Sequence, residues 1–290
     1  MLPTPEQTWA HSVCSEAELR SAIEDNSITA IESDIMFGTI TSTDDTSTKL
    51  QPVMAHPPDK TSDLSFQTFI ERLIDDTKLK KHVKLDIKEI ECLEPMMDTL
   101  RDVFKSVKDN QRAVFLNADI LPGPGKREDP LIKGDDFIET CMKLIEDGSG
   151  SNASFCAFSL GWRTDPRSEF GYTTDDVKAM EELIVRYSLP DRCMGVVLAV
   201  NARVLVKALN AFDDLLEKIP SCQLLVWTGT GEPALSLQKL QKIKEHFEWT
   251  NLADRVGYDC KVATYEFEGS VMDAAVDISG MWYNWKNPFA

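Results

Sequence analysis

Three short polar patterns interrupt apolar runs in this chain: Ala30-Ile31-Glu32-Ser33-Asp34-Ile35, His82-Val83-Lys84-Leu85-Asp86-Ile87-Lys88 and Phe115-Leu116-Asn117-Ala118-Asp119. Read as strands with a period of two, they place Glu32 and Asp34 on one side, Lys84, Asp86 and Lys88 on one side, and Asn117 with Asp119. Two carboxylates 4 Å apart repel by about 4 kcal/mol at an effective dielectric near 20. Glu32, Asp34 and Asp86 converging in a protein interior therefore call for a cation. All three offer hard oxygen and no Cys or His stands close by in sequence, which favours one Mg²⁺ or Ca²⁺, with Mn²⁺ admissible, over zinc. The competing reading is metal-free: Lys84 and Lys88 neutralise the acids and the network only holds the fold together.

The chain has four histidines. His11 lies near the end of the first apolar run and His56 in Pro52-Val53-Met54-Ala55-His56-Pro57-Pro58. Two imidazoles beside a metal-bound group make an acid–base pair near neutral pH. Either alone would read as a structural residue; the pair beside three acids reads as catalytic. His82 and His246 read as structural. Lys88 and Arg163 are candidate contacts for an anionic oxygen. Trp162 and Trp227 are either an aromatic wall for substrate or filling for the core. Leu121-Pro122-Gly123-Pro124-Gly125 is a rigid turn, and neither a phosphate-cradling loop nor a serine-hydrolase or HExxH motif occurs.

Elements must bring these residues together. Strand patterns fall at 8–13, 30–37, 82–88, 113–120, 154–162, 193–200, 222–228 and 256–260. Helical spacing falls at 15–25, 65–76, 94–108, 135–147, 174–187, 202–218 and 236–247. Ser15 with Glu18 three residues on is a helix start, Thr174 is a second candidate cap, Gly148 a stop, and Pro190 follows the next helix. Eight β-then-α units over this length predict an α/β fold, a (β/α)₈ TIM barrel, rather than a doubly wound sheet, whose Gly-rich first turn is missing. Residues 1–290 read as one barrel domain. The polar stretch at about 38–63 is expected to be a long active-site loop, because barrel sites form at the C-terminal ends of the strands. The run Met281-Trp282-Tyr283-Asn284-Trp285 is expected to anchor on the barrel wall.

Among the 290 residues, 31 Lys+Arg against 48 Asp+Glu leave a net charge of −17. That charge, with no basic run to offset it, argues against nucleic-acid binding. The apolar content of 42% excludes wholesale disorder. No apolar run reaches the roughly 20 residues of a membrane span. The seven cysteines are scattered singly and read as reduced. A cytoplasmic location is expected; a secreted form lacking its leader would read the same way, and Asn152-Ala153-Ser154 would then be a glycosylation sequon.

His11, Glu32-x-Asp34, His56 and Asp86-x-Lys88 together resemble the PLC-like phosphodiesterase superfamily, whose glycerophosphodiester phosphodiesterases and sphingomyelinase D enzymes are (β/α)₈ barrels. The fuller pattern is similar to the menorin (FAM151) family. It comprises Trp9-Ala10-His11-Ser12-Val13, Ala30–Asp34, Pro52–Pro58, Val83–Lys88 and Leu116-Asn117-Ala118-Asp119-Ile120-Leu121-Pro122-Gly123-Pro124. The resemblance implies Glu32, Asp34 and Asp86 as metal ligands, His11 and His56 as acid and base, and Lys88 as a phosphate contact. It implies a small-molecule or lipid phosphodiester substrate with an adjacent hydroxyl, cleaved through a cyclic phosphate. His11-Ser12-Val13 replaces the His-Arg-Gly of the glycerophosphodiesterases and Pro57 follows His56 where they carry Asp. Lys84, Asn117, Asp119 or Arg163 must then supply contacts that those enzymes obtain elsewhere. The rival readings are a non-catalytic binding module that keeps the acidic mouth, with a part in neuronal or photoreceptor maintenance, and glycoside hydrolysis by Glu32 with a second acid. The latter leaves His11, His56 and Lys88 without roles.

Overall fold

A computed structural model describes residues 7–41, 49–75, 78–106, 112–147, 156–229 and 231–263. The chain enters the sheet as β1 (Trp9–Ala10) and β2 (Ala30–Ile40). It then makes an excursion through β3 (Gln51–Met54), β4 (Thr61–Ser62) and an antiparallel ribbon, β5 (Ile74–Asp75) and β6 (Lys78–Leu79). The sheet continues as β7 (His82–Ile87), β8 (Val114–Pro122), β9 (Cys156–Arg163), β10 (Val196–Asn201), β11 (Cys222–Trp227) and β12 (Val256–Asp259). The path β1-β2-β7-β8-β9-β10-β11-β12 is parallel throughout and nearly closes, with helices between its strands. This is the predicted TIM-type barrel.

Period-two sorting builds its two layers. Ile31 and Ile35 of β2, Val83, Leu85 and Ile87 of β7, Phe158 and Leu160 of β9, and Leu224 and Val226 of β11 turn outward into one large core beneath the helices. Inside the barrel Trp9, Ala30, Ala113, Phe115, Ala157, Val197 and Leu225 form a separate apolar floor. Above that floor the inward positions become polar. At the floor end, buried His82 accepts the Ala113 backbone N–H at Nδ1 (2.9 Å), and Lys81 donates to the Asp25 and Ile28 carbonyls. Burial lowers His82 to about pKa 4, with Arg112 adding to the effect.

The helices are α1 (Glu16–Glu24), α2 (Phe66–Arg72), α3 (Leu93–Ser106), α4 (Gly134–Asp147), α5 (Thr174–Arg186), α6 (Leu189–Arg192), α7 (Ala202–Leu205), α8 (Asp213–Lys218) and α9 (Leu237–Trp249). Ser15 caps α1 as expected, accepting from the Glu18 N–H. For α5 the cap is Thr173, one residue earlier than the pattern suggested, in a reciprocal box with Asp176. Pro190 lies in the first turn of a new short helix, α6, rather than only following α5. The helix expected over 202–218 is broken. Ala208 leaves helical geometry (φ −150, ψ 64) where it packs on Gly171, and a 3₁₀ turn, Leu209–Phe212, leads into α8.

The expected loop at 38–63 also contains strand. β2 runs on to Ile40, β3 returns antiparallel to it from Gly38 to Ile35, and β4 pairs parallel at Thr39 and Ile40. A Cβ at Gly38 would stand 1.9 Å from the Lys60 carbonyl, so this close approach depends on glycine. Gly148, the Asn152 sequon and the Met281–Trp285 run lie outside the described residues. No helix among the described residues is long and apolar enough to cross a membrane.

Candidate active site

Strand register stacks the inward residues in levels. Glu32 pairs with Lys84 and Phe115; one level up, Asp34 pairs with Asp86, Asn117 and Ser159; above that, Asp119 faces Gly161. The polar positions thus gather at the C-terminal ends of β2, β7 and β8. One carboxylate oxygen from each of Glu32, Asp34 and Asp86 lies within 4.8 Å of the others. Glu32 and Asp34 are buried while Asp86 is partly open. Burial raises the Glu32 carboxyl, with the other acids adding to the rise against His11 and Lys84. For Asp86, burial is outweighed by Lys88 and Lys84, which hold its carboxyl low.

Lys88 spans two of these acids. Its Nζ lies 2.8 Å from Asp34 Oδ1 and 2.7 Å from Asp86 Oδ2. Although burial works against the ammonium, Asp86 and Asp34 raise its pKa well above the usual value. Lys84 is buried one level below, beside the apolar floor. Asn117 donates to Asp86 and accepts from Ser159 Oγ (2.6 Å), which fixes its amide orientation. Asp119 stands on the open wall of the cup. Enclosure by the surrounding protein and then Asp86 push its carboxyl up to about 6. A Cβ on Gly161 would come within 2.3 Å of Asp119 Oδ1, so a glycine on the next strand makes room for this acid.

His11 sits at the seam between β1 and β12, its Nδ1 3.0 Å from Asp259 Oδ2 and 3.5 Å from Glu32 Oε2. Burial lowers the imidazole pKa, but Glu32 and Asp259 outweigh it and bring it to about 9. The next residue, Ser12, adopts a left-handed backbone (φ 55). Its N–H donates to Glu32 Oε2 (2.8 Å) and its Oγ to Asp34 Oδ2 (3.2 Å), so a strained turn is held by two of the acids. His56 is reached through the hairpin: the Ala55 N–H donates to the Asp34 carbonyl (3.1 Å), which carries the next residue, an exposed imidazole, to the Asp34 level. His56 Nδ1 donates to the Pro57 carbonyl at 2.7 Å, which leaves Nε2 as the nitrogen available for other contacts.

The structure therefore gathers Glu32, Asp34, Asp86, Lys88, Lys84, Asn117, Asp119 and His11 in one cup and brings His56 to its edge. Trp227 is half-buried and shares inward parity with Leu225 at the mouth end of β11. Trp162 does not join them. It shares outward parity with Phe158 and Leu160, packs edge-on against Tyr172 and Phe212, and donates Nε1–H to the Asp176 carbonyl. It fills the helix-side core. Arg163 has inward parity, but Nη1 reaches the Asp129 carbonyl (3.3 Å) on the neighbouring loop. His82 and His246 are structural, the latter 2.9 Å from Asp213. Sequence reasoning missed Ser12, Ser159 and Asp259. Asp259 shares inward parity with Gly257 and was readable, whereas the left-handed Ser12 carried no signal because it is neither Gly nor Asn.

The fold and the cup define a TIM-type barrel with an acidic, lysine-bridged mouth beside His11 and the hairpin that bears His56. The chain belongs to the menorin family: the Menorin N-terminal domain model matches residues 5–260. It is similar to Protein FAM151B of Homo sapiens, 31% identical over 246 residues, which are 84% of this chain and 79% of that protein.

Proposed function

We propose that the chain is a divalent-metal-dependent phosphodiesterase acting on a small-molecule or lipid phosphodiester with an adjacent hydroxyl, by way of a cyclic phosphate. The observation that carries this reading is the convergence of three carboxylate oxygens within 4.8 Å beside His11 at the mouth of one barrel, with His56 on the hairpin that hydrogen-bonds to the Asp34 backbone. The donor set fits the group it would hold: all oxygen, two ligands buried, and their mutual repulsion relieved by a cation. Glu32, Asp34 and Asp86 would hold Mg²⁺, Ca²⁺ or Mn²⁺, which when bound supplies charge stabilisation for a phosphodiester oxygen.

The residues of the chain carry the proton traffic. Asp259 engages Nδ1 of His11 and the Pro57 carbonyl engages Nδ1 of His56, so Nε2 is the transferring nitrogen on each ring. One takes the proton of the substrate hydroxyl and the other gives a proton to the leaving alcohol. Water then opens the cyclic product with the roles reversed, or the cyclic product leaves. Lys88 supplies a fixed positive charge for a phosphate oxygen and Asn117 holds Asp86 in place.

A second reading has its own observation. The Lys88 ammonium already bridges Asp34 and Asp86, as a metal-free binding module would require. Titration calorimetry of Mg²⁺, Ca²⁺ and Mn²⁺ into metal-stripped protein, alone and with Asp34→Asn, separates the two. Saturation near one equivalent, lost in the variant, is expected, followed by a cyclic product in phosphorus NMR only from substrates with the adjacent hydroxyl. No binding either with or without a phosphodiester present would leave the module.

A further inference from the structure

Six large apolar side chains are exposed among the described residues: Val185 and Trp249 stand at the C-terminal ends of α5 and α9, and the other four lie at the opposite end of the barrel. Leu131 (77% exposed) lies in the β8–α4 loop, Phe170 (73%) in the β9–α5 loop, Leu50 at the outer end of β3 and Leu237 at the start of α9. All four follow the C-terminal ends of barrel strands, so they ring the end of the molecule that holds the acidic cup.

Their exposure is built in rather than slack. Gly123 and Lys126 exchange backbone hydrogen bonds, and the Asp165 N–H donates to the Pro124 carbonyl at 2.9 Å, tying the two loops together. Gly125, at φ 79, packs against Asp165 and Ser168. Ser168 Oγ exchanges hydrogen bonds with the Phe170 backbone, and Lys207 holds the Ser168 carbonyl. Arg127 pairs with Asp176. The backbone at Phe170 is pinned and the loop that carries Leu131 is tied down at its base, and both side chains stay exposed.

The charge of these loops differs from that of the chain. Lys126, Arg127, Lys133 and Arg167 balance Glu128, Asp129, Asp165 and Glu169, so the two loops together are neutral in a chain of net charge −17. A protein interface is built around a contiguous desolvated core, and the acidic cup occupies the place where that core would be. Separate apolar tips around a charged opening instead suit a surface that each tip can enter singly, and the neutrality of the two loops that carry Leu131 and Phe170 suits headgroups without net charge.

We propose that this rim docks on a zwitterionic lipid–water interface, with Leu131 and Phe170 as the principal inserting side chains, so that the cup faces the headgroups. This rests on the mouth being the working face and narrows its substrate class to lipids presented at a surface. The test is co-sedimentation of the full chain with phosphatidylcholine vesicles in EDTA, which needs neither metal nor turnover, so the phosphodiesterase reading and this one fail separately. Comparison proteins are the Leu131→Ser/Phe170→Ser double variant and Trp249→Ser, which removes an 85% exposed side chain at the far end of α9. Each variant is matched to wild type by circular dichroism. The expected result is vesicle binding that falls at least about tenfold in the double variant. It should stay within about twofold in Trp249→Ser and weaken when phosphatidylserine is added. No binding by wild type, binding only to phosphatidylserine vesicles, equal binding by the double variant, or a rim-dependent protein dimer in place of vesicle binding would each overturn it.

Discussion

His82 makes acid sensitivity a local property of the barrel floor. Its Nδ1 accepts the Ala113 N–H, which requires that nitrogen to be unprotonated, and burial holds the ring near pKa 4. An unfolded chain restores the ordinary value of about 6.5, so between these pH values the unfolded state binds the extra proton. The depressed value means that this contribution is complete above pH 6.5 and is lost as pH falls towards 4. Linkage over pH 7 to 4.5 gives about 2.4 kcal/mol, and partial solvent screening reduces this to about 2 kcal/mol. His82→Asn keeps an acceptor for the Ala113 N–H and removes the titration. Urea unfolding of both proteins at half-unit steps from pH 7.5 to 4.5 isolates the effect, since every other titrating group is shared. Wild type is expected to lose about 2 kcal/mol more than His82→Asn across that range. Parallel stability profiles would refute the reasoning and place the acid sensitivity elsewhere.

Lys88→Met removes the ammonium that bridges Asp34 and Asp86 and is expected to cost about 2 kcal/mol in metal-free buffer, less than a fully buried pair because Lys88 is partly exposed. If the triad takes a divalent ion, millimolar Mg²⁺ or Ca²⁺ raises the melting temperature of Lys88→Met more than that of wild type. Gly161→Ala pushes on the free end of Asp119 rather than on backbone, so it is expected to cost about 1 kcal/mol or less. A double-mutant cycle with Asp119→Ala should show coupling of at least about 0.5 kcal/mol, and additivity would contradict the contact. Trp162→Phe loses volume and the Nε1–H bond to Asp176, with an expected cost of about 2 kcal/mol and no change in metal titration. A changed titration would mean that Trp162 touches the cup after all.

Parity was sufficient to find the acids. In β2, β7 and β8 the backbone alternates whatever the neighbours do, so Glu32 with Asp34, Lys84 with Asp86, and Asn117 with Asp119 were legible as inward pairs before any fold was known. The same rule applied to β9 would have turned Trp162 outward with Phe158 and Leu160. Bulk at the end of a strand suggested a substrate wall where the alternation says core. The eight strand patterns also follow from local sequence, because a buried parallel strand must be apolar over most of its length.

Contacts between distant segments lay beyond such reasoning. Nothing local to His11 names Asp259 as its partner, because the pairing exists only where the first and last strands of the barrel meet. The polar composition of 38–63 reads as a loop, but β3 and β4 gain their backbone partners from the outer end of β2, and that pairing delivers His56 to the Asp34 level. Likewise the helical spacing of 202–218 is real, yet α7 ends at Leu205 and Ala208, packed on Gly171, stands outside helical geometry. The sequence by itself determined which side of each strand is charged, since side-chain alternation is a property of one backbone. Tertiary structure decided which charges face one another, since that depends on register and closure across strands far apart in the chain.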